Sequence, residues 1–269
     1  MGGDLFDRYP DWTVEADGVL GYSIRELCLD DPRAELGQTA FTQPALYVVN
    51  ALMFRARQDS GAVAPSYVAG HSLGEYDALL AAGVFDFATG LRLVQRRGQI
   101  MALVSGGGMA AVIGLSPKRI QTILQDSEAG RRVDVANFNS YDQTVLAGPK
   151  EDLTTIGPAF EAAGARAFIP LNVSAPFHSR YMREAQTEFS GFLRDVAFQP
   201  PAIPVISNVT ARPYEGDQVR QTLSEQIGNS VRWLDSMRYL LDLPETEFEE
   251  VGPGKVLAKL LGQIKKARE

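Results

Sequence analysis

The chain has 269 residues, 45% of them apolar, with a formal net charge of -7, one cysteine and two histidines; such a length supplies one large domain or a domain with an insertion, and the apolar share suffices for a sizeable core. The acidic balance argues against nucleic acid as the main partner, and the lone Cys28 with His71 and His178 excludes an internal disulfide or cysteine-based zinc site and leaves little for another metal cluster. No apolar stretch approaches the ~18 residues of a membrane span and no charged-then-apolar leader opens the chain, so a cytosolic protein is expected.

In chain order, Ser23 and Glu26 have capping-box spacing and open a helix in which Cys28 faces the core. Residues 44–57 begin with proline at a first helical position and carry Leu46, Val49, Leu52 and Met53 at helical spacing, which puts Gln43 at a helix entrance. Residues 67–69 form a short apolar run fit for a buried strand, and residues 75–82, rich in Ala and Leu, read as a helix. Between them lies Gly70-His71-Ser72-Leu73-Gly74.

Small residues two positions either side of a serine suit a sharp strand-to-helix turn that lifts the hydroxyl above the sheet edge; an ordinary Gly-rich turn is the structural alternative. At the helix N-terminus Ser72 meets partial positive charge, and the N–H of Leu73 is the natural donor to an oxyanion. A serine hydroxyl needs a base to take its proton, and histidine is the usual choice. Neighbours on a tight turn diverge, so His71 should point away from Ser72, which leaves His178, in Asn172-Val173-Ser174-Ala175-Pro176-Phe177-His178-Ser179, as the base. A histidine satisfied within the structure is the other reading of each.

Residues 87–103 form the next helix, with Phe87, Leu91, Val94, Ile100 and Met101 on one face and Arg97 inside that apolar arc. An inward arginine needs a structural carboxylate or a bound anion; periodicity alone favours the carboxylate. After the flexible break Gly106-Gly107-Gly108, residues 109–115, 133–138, 143–147 and 165–171 read as strands and 117–125 and 150–163 as helices. That β-α-β-β-α-β order is the ferredoxin-like split unit. The alternation elsewhere gives an α/β fold with a hydrolase-like large domain and a mostly parallel sheet. The expected division is residues 1–105 and 174–269 for the large domain and 106–173 for an inserted small lobe, with the ligand cleft between them. No repeat of fixed period and no low-complexity tract occurs.

Several motifs together resemble one family. Gly70-His71-Ser72-Leu73-Gly74-Glu75-Tyr76, Thr42-Gln43-Pro44-Ala45-Leu46, Arg97-Gly98, Gly108-Met109-Ala110-Ala111-Val112-Ile113-Gly114, Asn137-Phe138-Asn139-Ser140, Phe177-His178-Ser179 and Val251-Gly252-Pro253-Gly254-Lys255-Val256-Leu257 are similar, in order, to malonyl-CoA:acyl carrier protein transacylases. The likeness is strongest to the free-standing acyltransferases that serve trans-acyltransferase polyketide synthases.

The resemblance implies transfer of a malonyl group from malonyl-CoA to the phosphopantetheine thiol of an acyl carrier protein, in polyketide or fatty acid synthesis, without a metal or redox cofactor. It makes Ser72 the nucleophile, His178 the general base and acid, Leu73 an oxyanion donor, and Arg97 the holder of the malonyl carboxylate. It also implies that the backbone C=O of Arg232, in Asn229-Ser230-Val231-Arg232-Trp233, orients the base. Phe177 and Leu73 match malonyl-using members, and Gln43, Met101 and Asn139 match pocket positions, although each also reads as a helix-end or packing residue.

The chain opens Met1-Gly2-Gly3-Asp4-Leu5-Phe6, past the strand and Gly-Gln-Gly-Ser-Gln turn with which family members begin. A truncated sequence, a shortened chain or an incorrectly chosen start is therefore expected, with the second oxyanion donor missing if nothing precedes Met1. Lys118, Arg119, Arg131 and Arg132 are candidates for docking an acidic carrier. Three other functions compete: a proofreading hydrolase using the same Ser72 and His178, an α/β-hydrolase esterase, and a catalytically silent carrier-binding module. The ~90 residues after His178 are unlike the esterase pattern, in which the histidine lies near the C-terminus.

Overall fold

The computed structural model describes residues 1–173 and 175–268; Ser174, in the expected turn before His178 and at the expected domain boundary, and Glu269 lie outside the described residues. The strands among the described residues are β1 (Val68–Ala69), β2 (Gly107–Ile113), β3 (Asp134–Phe138), β4 (Gln143–Pro149), β5 (Ala167–Pro170) and β6 (Val205–Ile206). They form two sheets, with helices before, between and after them.

β1 and β6 pair in parallel, Val68 with Val205 and Ala69 with Ile206. Both residues of β6 are fully buried, as a parallel pair requires, since its faces are covered by helices rather than water. Because the strands run the same way, the residues just beyond their C-terminal ends emerge side by side. Ser72 follows β1 there and Asn208 follows β6, the strand-end crevice where α/β folds place their ligands.

The second sheet has the order β3-β4-β2-β5 with every pairing antiparallel, the split β-α-β-β-α-β arrangement. The period of two along a strand separates its faces. Ala110 and Val112 turn toward helices Pro117–Gln125 and Lys150–Ala162, packing with Ile120 and Phe160. Met109 and Ala111 turn the other way, with Val145, toward Val173 and Phe177, so this sheet supports the segment that delivers His178.

The Gly106-Gly107-Gly108 run is not wholly a flexible break, because Gly107 and Gly108 open β2, paired with Pro149 and Gly148. A Cβ on Gly107 would lie 2.5 Å from the Pro176 ring, so that glycine admits the turn two residues ahead of His178. Likewise the helix expected over 44–57 runs from Thr39 to Asp59, with Pro44 inside it. Its first turn is closed by Thr42, whose N–H and Oγ1 both donate to the Gln38 carbonyl, so the bond that proline cannot make is missing only near the helix start. Gln43 consequently sits within a helix, buried, rather than at its entrance.

The largest core packs this helix against Phe87–Leu103 and Gly74–Ala81 through Tyr47, Leu52, Leu79, Leu91 and Val94. Each such buried aliphatic side chain contributes about 1.5–3 kcal/mol. None of the helices among the described residues is long and apolar enough to cross a membrane.

Candidate active site

Ser72 has φ 51, in the left-handed region that a non-glycine residue enters only when its surroundings compel it. The compulsion is visible on both sides of the turn. Its N–H donates to Asn208 Oδ1 at 2.7 Å, Asn208 Nδ2 donates to the Gly70 carbonyl at 2.7 Å, and Gln226 Nε2 donates to the Ser72 carbonyl at 2.7 Å. A Cβ on Gly70 would fall 1.9 Å from the Gly74 carbonyl carbon, so position 70 admits glycine alone. A Cβ on Gly74 would meet nothing within 4 Å. Helix Gly74–Ala81 starts directly after the turn, and among the described residues no acceptor takes the Leu73 N–H, which leaves it free for a developing oxyanion.

His178 Nε2 lies 2.7 Å from Ser72 Oγ, and its Nδ1 lies 2.9 Å from the Gln226 carbonyl oxygen. A carbonyl only accepts, so Nδ1 carries the proton and the Nε2 lone pair faces the hydroxyl. Burial, and secondarily the Arg97 guanidinium, push the imidazole pKa down to about 3. The ring is therefore neutral and ready to take a proton at neutral pH. His178 itself has φ 58, so Ser72 and His178 both sit on left-handed backbone.

Arg97 is 1% exposed, yet no carboxylate among the described residues forms an ion pair with it. Its donors go to neutral oxygens: Gln43 Oε1 at 2.5 Å, Gln226 Oε1 at 3.0 Å and Ser72 Oγ at 3.1 Å. Its Nε–H is buried with no acceptor. The structural carboxylate that periodicity favours is absent from its contacts, leaving a buried cation beside Ser72 with bonding capacity to spare.

The remaining expected residues fall at different distances from this centre. Gln43 Nε2 points to Met101 Sδ at 3.6 Å while Gln43 Oε1 accepts from Arg97, so Met101 bears on the guanidinium through Gln43. Phe177, partly buried, touches both the main core and the second sheet. Asn139 Oδ1 bonds His71 Nε2 at 2.9 Å, and the His71 ring lies 5.6 Å from that of Trp233. Arg232 is a correction: its carbonyl accepts from the Ser236 N–H at 2.9 Å and the Ser236 hydroxyl at 3.0 Å, so it is used up in the first turn of helix Trp233–Leu241. Its guanidinium pairs with Asp235 near the surface. The carbonyl at His178 belongs to Gln226 instead.

Gln226, Asn208, Glu75 and Tyr214 complete the site without having been expected in it. Glu75 Oε1 accepts from Tyr214 Oη at 2.6 Å and from the Asn208 N–H at 3.1 Å, and Glu75 Oε2 accepts from Gln226 Nε2 at 2.6 Å. Burial raises the Glu75 pKa to about 7, against the lowering effect of those three donors and of Arg97. A usable signal existed for Gln226, which shares the inward face of helix Val219–Gly228 with Val219, Thr222 and Leu223. For Asn208 the signal is its place two residues past a strand end.

A groove of about 710 Å³ leads away from His178 and Ser179 between Arg131, Arg180, Arg183 and Ser230. Among the described residues no cluster of His, Cys, Asp or Glu suits a metal ion.

Comparison with known proteins agrees with this geometry. The family described as the acyl transferase domain matches residues 14–253. The chain is 52% identical over 270 residues to the polyketide biosynthesis malonyl CoA-acyl carrier protein transacylase of Bacillus velezensis, covering 100% of this chain and 93% of that protein. A crystal structure of malonyl CoA-acyl carrier protein transacylase from Burkholderia pseudomallei superposes with a TM-score of 0.95 at 49% identity, covering 99% of this chain and 93% of that one. A type II polyketide acyl-carrier protein in complex with its malonyl-transacylase gives 0.93 at 38% identity, covering 99% and 88%.

Proposed function

The chain belongs to the acyl transferase domain family, and from that premise we propose that it moves a malonyl group from malonyl-CoA to the phosphopantetheine thiol of an acyl carrier protein in polyketide or fatty acid synthesis. The observation that carries this reading is a Ser72 hydroxyl 2.7 Å from a neutral imidazole and 3.1 Å from a buried guanidinium with no carboxylate of its own.

His178 Nε2 takes the Ser72 proton as Oγ attacks the thioester carbonyl, and the oxyanion is held by the Leu73 N–H. Collapse breaks the C–S bond, and His178 returns its proton to the departing CoA thiolate. In the second half the carrier thiol gives its proton to His178, its sulfur attacks the malonyl-serine ester, and the proton passes back to Ser72 Oγ. Gln226, through its carbonyl, keeps the imidazole in one tautomer throughout. No step calls on a cofactor.

Arg97 serves as the clamp for the free malonyl carboxylate. A guanidinium offers two parallel N–H donors to a carboxylate, and such charge-assisted bonds contribute roughly 1.5–3 kcal/mol each. A simple acyl group leaves the clamp unmatched, so selectivity comes partly from the penalty on the wrong substrate. Gln43, itself steadied by Met101, holds the guanidinium, Phe177 crowds an α-methyl group, and Asn139 keeps His71 turned from the nucleophile.

The groove from His178 accommodates the pantetheine arm, with residues 106–173 as a small lobe on one side and the large domain, residues 1–105 and 174–269, on the other. Lys118, Arg119 and Arg131 are exposed basic residues suited to an acidic carrier. Arg132 suits the role less, being tied to Asp152 at 2.6 Å and to Glu128 at 2.8 Å. The reaction belongs in the cytoplasm, where CoA thioesters and carrier proteins meet. Incubation with malonyl-CoA and a holo carrier protein tests the whole reading: malonyl-carrier should accumulate faster than free malonate, and the reverse order makes the protein a hydrolase.

A further inference from the structure

The Gln226 carboxamide stands between two groups of opposite charge. Arg97 only donates, so it fixes the amide oxygen on its side; Glu75, met by three donors and ionised above about pH 7, then only accepts, so it fixes the amide nitrogen on the other. The same residue carries its peptide oxygen to His178 and its amide nitrogen to the Ser72 carbonyl. Glu75, Gln226 and Arg97 are all at most 1% exposed, so water does not screen this chain of bonds.

We propose that Glu75 is a positioning residue for the acyl clamp, supplying through Gln226 the counter-charge that holds Arg97 beside Ser72 without a direct ion pair. This rests on the reading of Arg97 as the holder of the malonyl carboxylate. A buried guanidinium with no anion nearby is strongly unfavourable, whereas one paired directly to a carboxylate has no reason to bind another. Interposing a neutral amide meets both requirements. The charge is balanced at one remove, the amide oxygen facing Arg97 is polarised by the carboxylate behind it, and the guanidinium keeps unsatisfied donor capacity at Nε. The ring of Tyr76, 5.5 Å from the guanidinium carbon, adds a second non-anionic support.

Glu75→Gln isolates the effect. Two donors, Tyr214 Oη and the Asn208 N–H, demand an oxygen at one end of the new side chain, so its NH2 must face Gln226 Nε2, donor against donor. Gln226 then loses that bond or turns its own NH2 toward Arg97. In either case the clamp is displaced while the hydrophobic core is untouched.

The test measures acyl-Ser72 formation from malonyl-CoA and acetyl-CoA for the full chain and for Arg97→Ala, Glu75→Gln and Tyr214→Phe. Glu75→Gln should lower the malonyl-over-acetyl ratio of kcat/KM by about tenfold, chiefly by raising the malonyl KM. Tyr214→Phe, which removes one donor to the same carboxylate, should lower it less and in the same direction. A ratio unchanged in Glu75→Gln, or malonyl and acetyl rates that fall in parallel, overturns the proposal, the latter because it marks mere support of the turn. Should Glu75→Gln fail to fold, an unchanged ratio in Tyr214→Phe overturns it. The unsubstituted chain and Arg97→Ala keep the two readings apart: if these two show the same ratio, the clamp itself is wrong and the role of Glu75 falls with it.

Discussion

The peptide oxygen of Gln226 accepts the Nδ1–H of His178 at 2.9 Å, in the place where many serine enzymes carry a carboxylate. A carbonyl fixes the tautomer as a carboxylate would, but it does not offset the charge of an imidazolium. With Arg97 close by and water excluded, the resting base is held neutral. Because the Arg232 guanidinium pairs with Asp235 near the surface and its peptide oxygen, which the substitution keeps, is bonded in the first turn of the Trp233–Leu241 helix, Arg232→Ala should leave the rate of Ser72 malonylation within about threefold of the parent. A stopped time course read by mass spectrometry checks this, and a hundredfold loss would place the Arg232 guanidinium, rather than its peptide oxygen, in the site.

The two glycines of the Ser72 turn should differ sharply. Gly70→Ala drives a Cβ into the Gly74 backbone and should unfold the chain or lower stability by more than about 3 kcal/mol, whereas Gly74→Ala meets open space and should shift it by less than about 1 kcal/mol. Urea midpoints for the two variants decide the matter. Equal losses would show that the turn is held otherwise than by this close approach.

Asn208→Ala removes the acceptor of the Ser72 N–H, the donor to the Gly70 carbonyl and nothing from the groove. A loss of roughly 2–4 kcal/mol is expected, since both backbone groups are left without partners. Malonylation should slow as well, because the left-handed backbone at Ser72 loses the bonds that hold it. Denaturant unfolding beside the acylation rate measures both; full stability with slow acylation would assign Asn208 to chemistry instead of to the turn.

Burial of His178 has a consequence for stability with a definite sign. Its folded pKa of about 3 lies below the ordinary value of 6.5, so between these values the unfolded chain binds the extra proton and stability falls as pH falls. His178→Gln lacks this liability. The stability difference, parent minus variant, should therefore shrink between about pH 7.5 and about pH 5. Glu75, with its folded pKa raised to about 7, acts in the opposite direction, losing stability as pH rises through roughly 4.5 to 7, but it is present in both proteins and drops out of the difference. Urea midpoints at the two pH values supply the test, and a difference that widens on acidification would contradict a buried neutral imidazole.

The sequence made the split β-α-β-β-α-β unit legible, because alternation within its strands and apolar spacing within its helices are local signals. So was the strand-turn-helix around Ser72, since glycine spacing records a backbone requirement. The parallel pairing beside it rests on two-residue strands, too short to show any period. Arg97 was legible as a charge inside an apolar arc. Its real partners were not, because two amides and a hydroxyl from three separate segments leave no common spacing. Gln226 was missed for a related reason: its backbone oxygen orients the base, and backbone atoms leave no trace in residue identity. Assigning that role to Arg232 placed the right kind of acceptor six residues too late.

At the centre lies the uptake by Ser72 of a malonyl group that Arg97 helps select. The most direct measurement is intact-protein mass spectrometry after mixing the chain with equal malonyl-CoA and acetyl-CoA, repeated for Ser72→Ala and Arg97→Ala. The predicted result is a malonyl adduct on the parent, none on Ser72→Ala, and on Arg97→Ala a shift of the adduct from malonyl to acetyl. A malonyl adduct that survives in Ser72→Ala, or an adduct mixture unaltered in Arg97→Ala, would contradict it.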